Sequence, residues 1–463
     1  MQTSILNKLT EQKFQEVLVA YKNLIGKELY INSIHAPLVR LLLPILISAE
    51  YDDRKIHDVL VPDFKPSSTG QIKSAIFDEK FYELLLSMVR GQPIKKLQMG
   101  KYEFDKIRCG TLKLPKQKVL IFRASFSYKE LLRIFFKNLS LLRRANIPNI
   151  IVEKYYTFKQ PKSSSDVCQN YANIIYSLTP TNLYENLKNN LRVISKKNIF
   201  FSKIYSNSAY IDNDIFKLIC HSCIQRGSEV IIGQHGGGWN INKVFNERKM
   251  ILDFATSVKF WTHNFSSNQE KFKNKINVRL KRFRPAKLVY KRAVFVEYAW
   301  PKHRISLASI PQEEEVENMY SENAIFFQNT SIDLEVALYP DLDPISRQSF
   351  YSKNVGDNIS FKHQQKSIYT LLSQSNLIIT SVLNTVFYQA LVSNYPLVVW
   401  FAPGYEIDDY FIELFEELEK CRIFHRSPVS CANFINEVDL DVWWSSDIVQ
   451  KNIKKLKYSL LGI

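Results

Sequence analysis

With 463 residues and 46% hydrophobic side chains, the chain exceeds one compact core, which excludes a small stapled module and predicts two domains, with three as the alternative. Its 62 Lys and Arg against 45 Asp and Glu give a net charge of +17, a field that attracts polyanions. No dense basic run coincides with a recognisable nucleic-acid module, so nucleic acid is not an expected partner, and peripheral contact with an anionic membrane is.

The six cysteines, Cys109, Cys168, Cys220, Cys223, Cys421 and Cys431, show no paired framework. The opening MQTSILNKLTEQKFQEV is polar with no signal-like apolar region, so the expected setting is the cytoplasm. The longest apolar run, Pro37 to Ala49, carries Arg40 and reads as too short to span a bilayer.

From Leu9 to Ile47 apolar residues recur at three and four, with Phe14, Val17, Leu18 and Tyr21 first and Leu38 to Ile47 after, which predicts packed helices. His35 reads as a helix-start or packing residue. Ile76 to Val89 predicts another helix through Phe77, Phe81, Leu84, Leu85 and Met88. Lys118 to Arg123 predicts a strand, Tyr128 to Arg144 a helix and Asn149 to Val152 a strand, the unit of a parallel sheet. Pro161 to Asp166 is loop-like, Leu183 to Leu191 helical, Asn198 to Tyr205 strand-like and Ile215 to Gln225 helical. Cys220, His221 and Cys223 on that last helix have CxxC spacing, but a closed zinc site needs four ligands and no second pair is near. They read as packed helix residues.

Next comes SEVIIGQHGGGWN, Ser228 to Asn240. A β-branched run, Val230 to Ile232, stops at Gly233 and leads through Gln234 and His235 into Gly236, Gly237 and Gly238. Consecutive glycines are costly to order, and the whole chain has only 13, so this strand end is expected to approach a ligand by its backbone. His235 is the loop's one side chain that exchanges a proton near neutral pH.

Lys271 to Lys291, with Pro285, reads as an extended basic link, which sets a boundary near residue 290. Beyond it Ala293 to Val296, Asn323 to Phe327 and Val336 to Tyr339 predict strands, and Gln364 to Gln374 a helix. Asp341 and Asp343 form a DxD, but prolines on either side suit a turn better than a metal site, and no metal is expected. Leu377 to Thr380 and Pro396 to Phe401 are strands, and the segment between starts a helix near Asn384 or Thr385. Hydroxyls at such a helix start suit a phosphate, while an ordinary N-cap accounts for the same residues.

Several stretches in order resemble a bacterial family of surface-carbohydrate transferases associated with lipopolysaccharide and O-antigen synthesis. They are Ile31 to Arg54, IIGQHGGGWN at Ile231 to Asn240, LYPDLD at Leu338 to Asp343, Asn376 to Pro403 and Asp441 to Leu460. The resemblance implies an α/β, GT-B-like fold: two Rossmann-like domains with parallel sheets facing a central cleft. Residues 1–290 would be the acceptor side and 291–463 the donor side, with the C-terminal helix packing back toward the first domain. More distantly the chain is similar to capsule Kdo transferases and CDP-glycerol-type polyol-phosphate transferases.

On that resemblance the expected activity is metal-independent sugar transfer from a nucleotide-activated donor, a co-substrate with no further cofactor, to a carbohydrate or lipid-linked acceptor. His235 would be the base, oriented by Glu247. Gly236, Gly237, Gly238, Ser381, Asn384, Thr385 and Gln389 would hold donor or phosphate, and Gln234 and Trp239 would support the loop or acceptor. The chain departs from the family pattern. On the resemblance, an additional strand-bearing opening segment usual in the family is expected to be missing, and the chain has Gln389, Ala337 and Val258 where a Glu, an Arg and an Asp are usual, and His263-Asn264 for a Trp-Gly pair. Each loss would remove a charge or donor from the cleft. The alternatives are a CDP-linked polyol or sugar phosphotransferase and a catalytically inactive assembly subunit.

Overall fold

A computed structural model describes residues 3–51, 60–62, 79–92, 95–97, 119–121, 161–234, 236–237, 241–242, 250–251, 254–259, 292–298, 313–339, 344–353, 355–363, 374–403 and 405–461. The expected helix at Tyr128–Arg144, the strand at Asn149–Val152, the link at Lys271–Lys291, almost all of the helix expected at Gln364–Gln374 and the Asp341/Asp343 pair lie outside them.

The periodicity of the opening residues produces α1 (Thr3–Ile25) and α2 (Asn32–Glu50). Phe14, Val17 and Tyr21 of α1 meet Leu38, Leu42 and Leu46 of α2 in one core, joined by α3 (Glu79–Val89) and α4 (Val167–Leu178). Helix α2 is longer than the apolar run suggests: its 19 residues are long and apolar enough to cross a membrane by length and composition. Most of it is buried inside this helical core, and Arg40 lies over the Phe14 ring at 3.7 Å and pairs with Glu11 at 3.5 Å. His35 is a packing residue, as expected. The Ile31 N–H donates to Nδ1 at 2.9 Å, and Nε2 donates to the Leu183 carbonyl at 3.0 Å, which sets the neutral Nε2–H tautomer.

A short parallel pair, β1 (Leu60–Pro62) and β2 (Lys95–Leu97), stands apart from the main sheets. The first main sheet holds β3 (Val119–Ile121), β4 (Lys203–Ser206), β5 (Glu229–Gly233) and β6 (Ser257–Lys259), all parallel and in chain order. Helices α5 (Leu187–Lys196) and α6 (Asp214–Ile224) lie around β4 in sequence and share its core with Ile204, Val230 and Ile232. The strand expected from Asn198 begins only at Lys203. Asn198 takes a left-handed φ of 46° and the Ile199 N–H bonds back to the Ile194 carbonyl, so these residues close α5 while Ile199 and Phe201 fall into the core.

The second sheet begins with β7 (Arg292–Val296), then α7 (Glu313–Asn329), β8 (Asp333–Leu338), α8 (Pro344–Tyr351) and β9 (Ile359–His363). The strand expected at Asn323–Phe327 is the end of α7 instead. Val316, Met319, Asn323, Phe326 and Phe327 are buried at helical spacing, and that longer period outweighs the local β-branched and aromatic run. The chain continues through β10 (Leu377–Thr380), α9 (Thr385–Ser393), β11 (Leu397–Trp400), α10 (Ile412–Lys420), β12 (Phe424–His425), α11 (Pro428–Glu437), α12 (Leu440–Ser445) and α13 (Asp447–Leu461).

All six strands are parallel, in the order β12-β11-β10-β7-β8-β9. Counted within this sheet the order is 3-2-1-4-5-6, that of the doubly wound dinucleotide-binding fold. The expected α/β class with two Rossmann-like parallel sheets is therefore what the molecule has. The C-terminal helix differs from expectation: Val449, Ile453, Leu456 and Leu460 of α13 pack with Leu391 of α9 and Leu414 and Leu418 of α10, on the second sheet's own layer.

Candidate active site

Strand β5 carries Val230 and Ile232 into the first sheet's core and Ile231 into a smaller cluster with Val119 and Tyr205, and delivers Gly233 to its carboxyl end. A Cβ at Gly233 would stand 2.8 Å from Asn207 Nδ2, so glycine is needed for the Asn207 side chain to lie across the strand end. That amide donates to the Gln234 carbonyl at 3.0 Å. Gln234 is fully buried, and its Nε2 donates to the Gly236 carbonyl at 2.7 Å. Its side chain thus ties the strand end to the turn at Gly236. His235, Gly238, Trp239 and Glu247 lie outside the described residues.

Gly236 and Gly237 serve different purposes. Around Gly236 a Cβ would meet nothing within 4 Å. At Gly237 it would drive into the Leu383 carbonyl and stand 2.7 Å from the Asn384 carbonyl carbon. Gly237 is therefore the point where the first sheet's loop touches the second sheet's strand-to-helix turn. The contact continues along the chain. Ile241 is buried in the second sheet's core, its carbonyl accepts from the Asp408 N–H at 2.7 Å, and Asn242 makes an antiparallel bridge with Ile407.

The turn that receives Gly237 sits at the place where the second sheet reverses direction. Strand β7 lies between β8 and β10, and chains leave its two sides in opposite senses, which opens a crevice at the carboxyl ends where open α/β sheets bind ligands. Thr380 and Ser381 close β10 there. Both are buried, and Thr380 Oγ1 and Ser381 Oγ have no hydrogen-bond partner, a state costing about 1–3 kcal/mol for each hydroxyl. The Ser381 carbonyl accepts from the Ala402 N–H at 2.9 Å, which ties the turn to the end of β11.

Asn384 proves to be the N-cap of α9, its Oδ1 accepting from the Phe387 N–H at 3.0 Å, so this side chain is occupied by the helix. Thr385 is half-buried in the first turn, and Gln389 is buried one turn later. The structure thus brings Gly237, Ser381, Asn384 and Thr385 together and sets Gln389 within the layer behind them.

Glu297 and Arg347 belong to the same crevice and were missed by sequence reasoning. Glu297 follows β7 directly, with its carboxylate buried. Arg347 of α8 grips it through Nε at 3.0 Å and Nη2 at 3.1 Å, while Tyr351 Oη donates at 2.9 Å and the Tyr339 N–H at 2.8 Å. Arg347 also donates to the Tyr339 carbonyl at 2.7 Å. Burial and the Glu297 charge push the Tyr351 hydroxyl up, so it remains a donor. The network pins Tyr339, the middle of the LYP stretch, to the end of β7. The available signal was a carboxylate directly after a wholly apolar strand, AVFVE.

The substituted positions read differently in three dimensions. Val258 packs in the first core and Ala337 in the second, so neither side chain faces a cleft. Cys220 and Cys223 are fully buried, and burial raises both thiols while lowering His221. Among the described residues no group of three or more His, Cys, Asp or Glu side chains is placed to hold a metal ion.

No curated protein sequence matches the chain. Among solved structures it is similar to MurG of Acinetobacter baumannii, with 8% identity over 58% of this chain and 77% of that one and a TM-score of 0.31. It is also similar to UGT2 of Phytolacca americana complexed with UDP-2fluoro-glucose and pterostilbene, with 8% identity over 59% and 73% and a TM-score of 0.34. Those scores carry no argument by themselves, and the fold stands on the strand order and contacts above. The match that decides kinship spans residues 65–460, which include both main sheets and both loops that meet at Gly237: the chain belongs to the LIC12162 family of transferases.

Proposed function

We propose that the protein is a GT-B-type glycosyltransferase that moves a sugar from a nucleotide-activated donor to a carbohydrate acceptor of the cell surface, in lipopolysaccharide, O-antigen or capsule synthesis. The observation that carries this reading is the contact of Gly237 with the Leu383–Asn384 turn. It joins the carboxyl ends of two parallel sheets, the edges where α/β folds bind their ligands, so donor and acceptor sites adjoin.

On the donor side, residues 291–463, the leaving phosphate would sit at the switch point. The partnerless hydroxyls of Thr380 and Ser381 and the first-turn N–H groups of α9 supply donors there, and the helix dipole favours negative charge. Electrostatic stabilisation of this kind needs no metal and no cofactor beyond the nucleotide-sugar. On the acceptor side, residues 1–290, His235 would take the acceptor proton, and Glu247 would orient it. Gly236, with open space beside it, would leave room for the substrate, and Gly237 makes the contact between the loops. The net charge of +17 supports a cytoplasmic enzyme working against the anionic face of the inner membrane.

A thermal-shift panel of CMP, CDP, UDP, GDP and dTDP tests the donor site, since a ligand of the native state stabilises it by mass action. One nucleotide is expected to raise the midpoint in the wild type and to lose that effect in Ser381→Ala. A panel without any response sinks the reading. With the donor known, the released product separates sugar transfer, which leaves a nucleoside diphosphate or CMP with no phosphate added to the acceptor, from phosphotransfer. His235→Ala that turns over as fast as the wild type removes the proposed base.

A further inference from the structure

The first sheet carries a second polar cluster at the same edge, and the glycine loop does not use it. Helix α5 leads into the start of β4 and α6 follows the end of β4, so the beginnings of both helices belong to the carboxyl edge of that parallel sheet. There Asn182, Asn186 and Asn190 recur at four-residue spacing, with exposures of 0%, 4% and 1%. Asn190 Nδ2 donates to the Asn182 carbonyl at 3.3 Å, and the Asn190 N–H to the Asn186 carbonyl at 2.9 Å, so the three are neighbours. Five of the amide atoms here are buried without a partner: Asn182 Nδ2 and Oδ1, Asn186 Nδ2 and Asn190 Oδ1, together with Nδ2 of the adjacent Asn189.

Native interiors pair nearly all such groups, so a concentration of orphans on four amides marks a place where a bound molecule completes the bonding. The surroundings specify its charge. Lys217, buried on α6, is engaged by Asp214 at 3.5 Å, which cancels the cation. His35 reaches the same turn through the Leu183 carbonyl, and burial holds its pKa down at about 4, so it is neutral. Glu185, next to Asn186, adds a carboxylate that disfavours anions. The asparagines themselves are neutral mixed donors and acceptors, the Glu185 carboxylate beside them is a further acceptor for hydroxyls, and the paired Nδ2 and Oδ1 of Asn182 match two adjacent hydroxyls.

We propose that Asn182, Asn186, Asn189 and Asn190 form a binding site for a neutral polyhydroxylated ligand, the sugar of the acceptor. The word acceptor rests on the function read above, whereas the binding does not. The amides are closed to solvent in this arrangement, so occupancy requires the turn Thr181–Leu183 to part from α6.

Neutral methyl hexosides, with hexose 6-phosphates as charged comparators, test the site by thermal shift on the full chain. At about 100 mM, roughly a hundredfold above a millimolar Kd, a neutral hexoside is expected to raise the wild-type midpoint by about 2 °C or more. Asn182→Leu should weaken that response at least about tenfold, the loss of roughly one good polar contact, while the nucleotide response persists. Asn189→Ala, at a half-buried position, should weaken it without lowering the ligand-free midpoint, which keeps the test usable if Asn182→Leu fails to fold. Absence of any wild-type response, a stronger response to the phosphates, or an undiminished hexoside response in both Asn182→Leu and Asn189→Ala overturns the proposal. Sugar binding without nucleotide binding would sink the donor reading and leave this site standing, and the reverse would do the opposite.

Discussion

The two carboxyl edges that meet at Gly237 are built on opposite principles. The first rests mainly on amides: a brace of Asn207 and Gln234 around glycines and a cluster of asparagines, with the Lys217–Asp214 pair at the start of α6. The second is charged, with the Glu297–Arg347 pair locked at the end of β7 beside hydroxyls at the end of β10. A buried bidentate ion pair fixes geometry but tolerates no loss of a partner, whereas amides adapt their bonding to what lies against them. The difference sets a fixed edge against an adaptable one.

The sharpest way to break this comparison is Arg347→Met. It leaves the Glu297 carboxylate buried without its cation and should cost about 3–5 kcal/mol of stability, measured by denaturant unfolding, with Glu297→Gln/Arg347→Met recovering part of that loss. A loss under about 1 kcal/mol would mean that the charged edge does not carry the fold as described. On the amide edge, Gly237→Ala forces the two loops apart and should cost about 1–3 kcal/mol along with most of the transfer activity. Gly236→Ala is the control and should stay within about 0.5 kcal/mol. Equal effects at 236 and 237 would remove the contact as the organising feature.

Acid sharpens the comparison, because His35 in the first half and His425 in the second are both buried. Burial lowers the pKa of His35 and of His425 to about 4. The unfolded chain then binds the proton that the native state refuses, so stability contributed above pH 6.5 is lost as pH falls from 6.5 toward 4, by about 1.4 kcal/mol per pH unit for each residue. At pH 5.5 each histidine should therefore cost about 1.4 kcal/mol, and His35→Gln and His425→Gln should each flatten unfolding free energy against pH by its own share. An unchanged slope in both variants would contradict their burial as neutral groups. The smallest effect is expected of Asn384→Ala, about 1 kcal/mol for the lost cap of α9. A nucleotide affinity that falls much further than stability in that variant would return Asn384 to the donor site.

Much of the fold was legible where one period ran unopposed. Val230 to Ile232, Leu377 to Ile379 and Leu397 to Val399 are fully buried parallel strands and read as unbroken apolar runs, and Phe14, Val17 and Tyr21 mark a helix face by spacing alone. The end of α7 misled because Ala324 to Phe327 is too short a run to separate helix from strand, and only the turns before it show the period. The site was half legible. Consecutive glycines and a hydroxyl-rich helix start identified both loops, but not that Gly237 spends its missing side chain on the other loop.

Composition and pattern by themselves determined that this chain forms parallel α/β units with an N-terminal helical core, because burying apolar faces at periods of two and 3.6 leaves few alternatives. They also determined the two loops, through residues whose local conformational demands do not depend on context. Tertiary structure alone decided which residues are neighbours across long separations. Examples are Glu297 with Arg347, Gly237 with Asn384, and His35 with Leu183. It likewise decided that Ala337 and Val258 serve cores and that β7 is where the second sheet turns back on itself. The reason is physical: a partner fifty or a hundred and fifty residues away leaves no local trace in propensity or spacing, and strand order becomes visible only when the sheet is assembled.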